Sequence, residues 1–406
     1  MRFLALLKSS DRDFKKNLIF FFLAYFLVLF NYPLIRASTT SLFFDAYGAK
    51  STPAAWAWAI VFLSIAIYLC NKIQKHKTVQ YVFTAASILS ALIFLAGSMS
   101  SFQGNKLFAY FSFIWKEICV VLQVHLLLGY SNNYFRKEDF KLLVGPVGAM
   151  GSLGGIFGGL LTTYLSSNGG TLLVLQVGVA FVVIPVLFFI NTQKLTTPAT
   201  EAKKTPLASL DTPDLKRYVL YICAMVALTQ FIINIADFKF NLAFEGAVPT
   251  SDLRTAYLGN IYTATNALTF IFQFFLLPFI LVKVTERNLH LFIPLSYLIC
   301  LVALILGSQI GLLPIAMLYI YFKAADYSFF SAGKEILYQP LAGPQKYGAK
   351  YLTDMLVYRS SKALIALILI YLQTPSILDI IMMGFLFIWL FVVVKLFSLH
   401  RKLFSY

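Results

Sequence analysis

Residues Thr192–Lys216 read TQKLTTPATEAKKTPLASLDTPDLK, the longest polar interruption in a chain of 406 residues. Thr, Pro and Lys dominate it, and no apolar residue recurs at helical spacing, so it reads as a linker. Working outward, six greasy stretches precede it, near 17–40, 53–71, 79–98, 107–130, 142–165 and 170–191. Six more follow, near 217–243, 255–282, 289–307, 311–333, 353–373 and 377–396. One bilayer crossing takes about 20 apolar residues, so these stretches use nearly the whole chain. No soluble domain is left over.

Composition agrees. The chain is 59% hydrophobic and 12% charged, against about 25% charged in soluble domains. The net charge of +16 raises a nucleic-acid partner, but the basic residues follow loop sidedness instead. By loop, about 24 Lys and Arg fall on one side and about four on the other. The positive-inside rule then puts both termini in the cytoplasm, which requires an even number of spans. The basic amino terminus precedes a run too long for a signal peptide and lacks a small-residue cleavage site, so it reads as a retained first helix. Cys70, Cys119, Cys223 and Cys300 lie in apolar stretches without a CxxC pair and read as small buried side chains. The expectation is an all-α polytopic membrane protein of twelve transmembrane helices in two six-helix, pseudo-symmetric halves. Residues 1–191 form the first half, 192–216 the linker and 217–406 the second half, the major facilitator arrangement. The expected location is a bacterial inner membrane, the expected state a monomer, and no metal or cofactor is expected.

The fifth span carries GPVGAMGSLGGIFGGLL, Gly145–Leu161. Gly151, Gly155 and Gly159 recur every four residues, as do Gly154 and Gly158, giving faces that admit a close helix. A phosphate-cradling loop is excluded because no GK[ST] follows and no strand precedes.

Ionisable residues inside the spans are few. They are Arg36 in the first, Lys116 and Glu117 in the fourth, and Asp237 in the seventh. Lys323 and Asp326 fall in the tenth, Arg359 and Lys362 in the eleventh. Each costs about 2.5–3.5 kcal/mol at a bilayer centre, so they are expected to face a wet cavity or one another. Five cations against three carboxylates leave that set basic, which favours anions where the effective dielectric is low. Lys116 and Glu117 are adjacent, diverge by about 100° on a helix and are not expected to face each other. A buried Glu favours its protonated form, which suits proton coupling. Lys323 and Asp326 have the spacing of a local ion pair, and Lys350 and Asp354 that of helix-start support. Arg359 and Lys362 share a face, expected toward the cytoplasmic side.

Several segments resemble the nucleotide transporters that include bacterial and plastid ATP/ADP translocases. YSFFSAGKEILYQPL (Tyr327–Leu341) is similar to that family's YSLFDPTKEMAYIPL segment and continues through KYGAKYLTD (Lys346–Asp354). The run from Trp115 to Leu143 places Glu117 on a functional acidic position of the family. INIADFKFN (Ile233–Asn241) places Asp237 where an essential Glu is usual, and YPLIRASTTSLFF (Tyr32–Phe44) matches at Arg36. The chain departs at Thr39, where the family has a nucleotide-holding Lys, and at Asp326, where it has the Lys of a KYS triplet.

The resemblance implies a small anionic substrate, with nucleotides among the candidates, exchanged for a counter-substrate or coupled to protons. Substrate contacts are expected at Arg36, Lys116, Glu117, Asp237, Lys323, Lys334, Arg359 and Lys362. Proton coupling is expected at Glu117, Asp237 or Asp326, and an external gate between Arg36 and Asp237. A proton-coupled facilitator or exporter of another metabolite or drug is the alternative, ahead of a non-transporting sensor or membrane enzyme. No zinc spacing, nucleophile elbow or ATP-hydrolysing motif supports an enzyme.

Overall fold

A computed structural model describes residues 11–101, 106–135, 137–195, 212–307 and 311–404. Most of the linker, residues 196–211, and the 308–310 loop lie outside the described residues. The rest is helical. In chain order the helices are α1 (Arg12–Tyr47), α2 (Thr52–Gln74), α3 (Val79–Ser101) and α4 (Lys106–Tyr134). A continuous run, Lys137–Phe189, follows and is broken only at Gly170. There φ is +78°, a conformation glycine adopts without strain. That break makes two spans, α5 (137–169) and α6 (171–189).

After the linker come α7 (Pro213–Ala247), α8 (Ser251–Ile271), α9 (Glu286–Leu306) and α12 (Pro375–Phe404). Between them, α10 begins as Leu312–Ala325, passes through a π-helical turn at Asp326–Phe330 and ends as Ser331–Leu337. Likewise α11 runs Gly343–Lys350, a π turn at Tyr351–Val357, then Tyr358–Tyr371. A third π turn, Phe272–Leu276, extends α8 into Leu277–Lys283. Among the described residues nine helices are singly long and apolar enough to cross a membrane. Dividing the run at Gly170 makes ten, and the π-interrupted α10 and α11 complete twelve. This is an integral multi-pass membrane protein.

The chain divides into two compact units. The first comprises residues up to 49, 58–200 and 248–270. Within it the α5 glycines serve two neighbours. A Cβ at Gly154 would lie 2.5 Å from the Phe26 carbonyl oxygen of α1, and Gly158 abuts the Phe30 backbone. Gly155 and Gly159 face Asn266, Thr263 and the Gly259 carbonyl of α8. Thr163 then hydrogen-bonds the Ala256 carbonyl at 3.1 Å. Gln123 of α4 donates to Ser87 (2.9 Å) and to the Val182 carbonyl (3.1 Å), tying α3, α4 and α6. Asn17 accepts from the Gln193 amide at 2.6 Å, pinning the first linker residues to α1.

The second unit comprises 50–57, 201–247 and 271–406. Its centre is α7, whose apolar window is 72% buried, against 17–56% for the other eight candidate spans. Polar residues on α7 therefore meet protein rather than lipid. Tyr297 of α9 stacks on Phe322 and donates to its carbonyl at 2.7 Å. Trp389 of α12 packs edge-on to Tyr297 and Phe330. Near the start of α7 the Tyr218 hydroxyl donates to the Leu337 carbonyl (2.9 Å), and Lys402 pairs with Asp214 (2.7 Å). That lysine, outside the greasy span, holds the Asp214 carboxyl below its usual value. All four cysteines are free; Cys300 alone is half-buried.

Candidate functional site

The deep charges sit well inside their helices. Arg36 is 11 residues before Tyr47, Asp237 is 10 before Ala247, and Lys323 is 11 after Leu312. At 1.5 Å per residue these are about 15–17 Å from helix ends that loop charge assigns to the outside. Arg36 and Asp237 are thus deeper than their expected place near the outer ends. Arg359 and Lys362 are 12 and 9 residues from Tyr371, in the C-terminal half of α11, a helix that begins at Gly343 rather than near 353.

In the first unit, Arg36 donates to the Tyr32 hydroxyl one turn earlier. Its guanidinium lies 5.3 Å from the Tyr32 ring centre and 5.5 Å from that of Tyr262 in α8. Two electron-rich faces thus stabilise the cation without neutralising it. Lys116 folds over the Phe113 ring at 3.0 Å, and its Nζ lies 4.0 Å from Glu117 Oε1. Side-chain bending brings the adjacent pair to the limit of an ion pair, contrary to the expectation from helix angles. Thr39, where the resembled family has a lysine, turns its hydroxyl onto its own Ile35 carbonyl at 2.6 Å.

The second unit holds more charge than the sequence suggested. Lys323 pairs with Asp237 at 3.4 Å rather than with Asp326, and Asn241 donates to the other Asp237 oxygen at 3.3 Å. Two residues from Asp237, Lys239 is ion-paired with Asp379 at the start of α12. INIADFKFN carries this second ionisable residue beside Asp237, and the doublet is the sequence signal for the added pair.

Lys334 binds Asp354 and Lys350 binds Glu335, each at 2.5 Å. The KE step of α10 thus meets two opposite charges of α11, and Lys350 does not serve Asp354 as its spacing suggested. Lys334 is neither a solvated interfacial lysine nor unengaged; an anion reaching it must displace a carboxylate. Arg359 differs. Its guanidinium contacts the Met355 sulfur at 3.8 Å, and among the described residues no carboxylate pairs with it.

Residues outside the expected set gather where α8 begins. Arg254 pairs with Asp45 at 2.7 Å and donates to the Val248 carbonyl at 2.7 Å. Asp252 accepts the Thr171 amide at 2.6 Å, capping α6 beside Gly170, and its carbonyl accepts from Ser166 at 2.7 Å. Their local sequence does not set them apart from other charges at span ends. Among the described residues no group of three or more His, Cys, Asp or Glu is placed to hold a metal ion.

No protein-family model matches the chain, and no curated protein matches it. Solved structures do. A single-site mutant of the nucleoside transporter NupG superposes with a TM-score of 0.67 at 14% identity, covering 93% of this chain and 99% of that one. The POT family transporter PepTSo gives 0.66 at 12% identity, covering 97% and 99%. A bacterial homologue of the human lysosomal transporter Spinster, inward-facing and unoccupied, gives 0.60 at 11% identity, covering 96% and 99%. These likenesses establish the major facilitator-like fold. They do not single out the ATP/ADP translocases.

Proposed function

We propose that the chain is a secondary transporter carrying a phosphorylated organic anion of the nucleotide class by alternating access. Its halves are 1–191 and 217–406, joined by the 192–216 linker, with both termini in the cytoplasm of a bacterial inner membrane. The fold is shared with transporters named for nucleosides and for the POT family, so cargo must be argued from side chains. Arg36, Lys116, Lys323, Lys334, Arg359 and Lys362 supply positive charge to the pathway, with Glu117 and Asp237 shaping it. Arg36 and Asp237 lie on equivalent first and seventh helices and act as the gate. Glu117, Asp237 and Asp326 are the carboxylates available to protons.

The observation that carries this reading is Arg359. An arginine inside a membrane helix normally finds a carboxylate, a carbonyl or a substrate. Here its hydrogen-bond acceptor is a thioether, a weak one, so the strong acceptor is assigned to the substrate. The test is thermal unfolding of purified protein with nucleotides, sugar phosphates, nucleosides and dicarboxylates. A ligand bound only by the folded state at 100 times its Kd adds about 2.7 kcal/mol. Phosphorylated anions should raise the midpoint, and Arg359→Gln should remove much of the shift. Stabilisation by nucleosides alone contradicts the anion reading.

A further inference from the structure

Among the described residues Asp326 has no direct partner. Asp237 is held by Lys323 and Asn241, and Glu117 has Lys116 beside it. Among the described residues the half-buried Asp326 side chain takes neither hydrogen bond nor ion pair. It opens the π turn Asp326–Phe330, and such turns recur where helices carry function.

Every neighbour that might serve it is engaged elsewhere. Lys323, one turn before, is on Asp237; Lys334, two turns after, is on Asp354. From α9, the Tyr297 hydroxyl gives its single proton to the Phe322 carbonyl. The α8 π turn (Phe272–Leu276) has no titratable group, and its Gln273 amide donates to the Tyr327 carbonyl at 3.0 Å. On α7, Asp237 is also negative, and Lys239 is on Asp379.

The charge count then decides. Lys323 lies within reach of two carboxylates: Asp237, which it pairs with, and Asp326, three residues ahead on its own helix. One cation cannot neutralise both, and an ionised carboxylate left alone in a low-dielectric interior takes up a proton instead. We infer that Asp326 is the proton-binding site of this protein and that Lys323 moves between Asp237 and Asp326 as that proton leaves and returns. This rests on the transporter reading for its purpose, though not for its chemistry. With Asp326 protonated, Lys323 bridges α10 to α7. When the proton passes to water, Lys323 turns from Asp237 to the new carboxylate. Proton binding thereby makes or breaks the charged link between α7 and α10.

The test is an infrared pH titration of the protein in lipid nanodiscs, following the carbonyl stretch of protonated carboxyl groups. Wild type should show a band that titrates. Asp326→Asn should lose it, while Asp354→Asn and Asp45→Asn should keep it. Lys323→Met removes the cation that favours the anion, so the band should persist to higher pH by about one unit. Asp237→Asn releases Lys323 to Asp326, and the band should move to lower pH. These opposite shifts separate a proton site from a structural carboxylate, and both are read even if Asp326→Asn fails to fold. A band that survives Asp326→Asn, or is unmoved by both Lys323→Met and Asp237→Asn, overturns the inference. No substrate is needed, so the result stands apart from any failure to observe anion transport.

Discussion

Lys239 and Asp379 form a well-enclosed cross-helix ion pair, with side chains 7% and 19% exposed. Removing one partner strands a desolvated charge, a loss of about 3–5 kcal/mol, whereas replacing both by neutral residues is often nearly harmless. Lys239→Met is therefore expected to lower the unfolding midpoint sharply in detergent, and Lys239→Met with Asp379→Asn to recover most of it. Equal destabilisation by the single and the double variant would make Lys239 a packing residue. This pair also marks what the sequence conveys at residue scale. Charge in an apolar run is conspicuous because each such residue is expensive in lipid, so Arg36, Lys116 and Asp237 stood out. Partners are another matter: Lys323 reaches back 86 positions to Asp237, and Lys239 lies 140 positions before Asp379. Local spacing instead suggested Lys323 with Asp326 and Lys350 with Asp354, and tertiary contacts overrode both.

Among the helices, α5 was the most legible, because its small residues recur at the period of one helical face. It packs by two such faces, onto α1 through Gly154 and Gly158 and onto α8 through Gly155 and Gly159. Gly154→Ala and Gly158→Ala would push a methyl group onto the α1 backbone, which has no side-chain freedom with which to yield. Overpacking of this kind typically costs about 1–3 kcal/mol, and both variants should lose folded protein by fluorescence-detected size exclusion. Gly145→Ala meets nothing within 4 Å and should behave as wild type; equal loss at all three positions would point to helix propensity or insertion instead. The π turns in α8, α10 and α11 were not legible. A π turn adds one residue to a helical turn without altering composition, so no local pattern announces it. Helices α10 and α11 also run beyond the expected spans, to Leu337 and from Gly343, and in those extensions Lys334 meets Asp354 and Lys350 meets Glu335.

At the scale of the molecule, span count followed from length, hydropathy and the polar stretch at Thr192–Lys216, and the fold agrees with known major facilitator-type structures. The allotment of short segments to compact units did not follow. Residues 248–270 join the first unit, where the α5 glycines and the Arg254–Asp45 pair hold them, and residues 50–57 join the second, where Gln373 donates to the Lys50 carbonyl. Cargo is the remaining question, and the proposed anion rests on the basic excess among the deep charges. The most direct measurement is uptake by liposomes containing the purified protein, using radiolabelled nucleotides and sugar phosphates alongside uncharged nucleosides. Saturable entry of a phosphorylated anion, faster when the liposomes hold an unlabelled counter-anion or face an inward proton gradient, is the predicted result. Accumulation of nucleosides with no entry of any phosphorylated compound would contradict it.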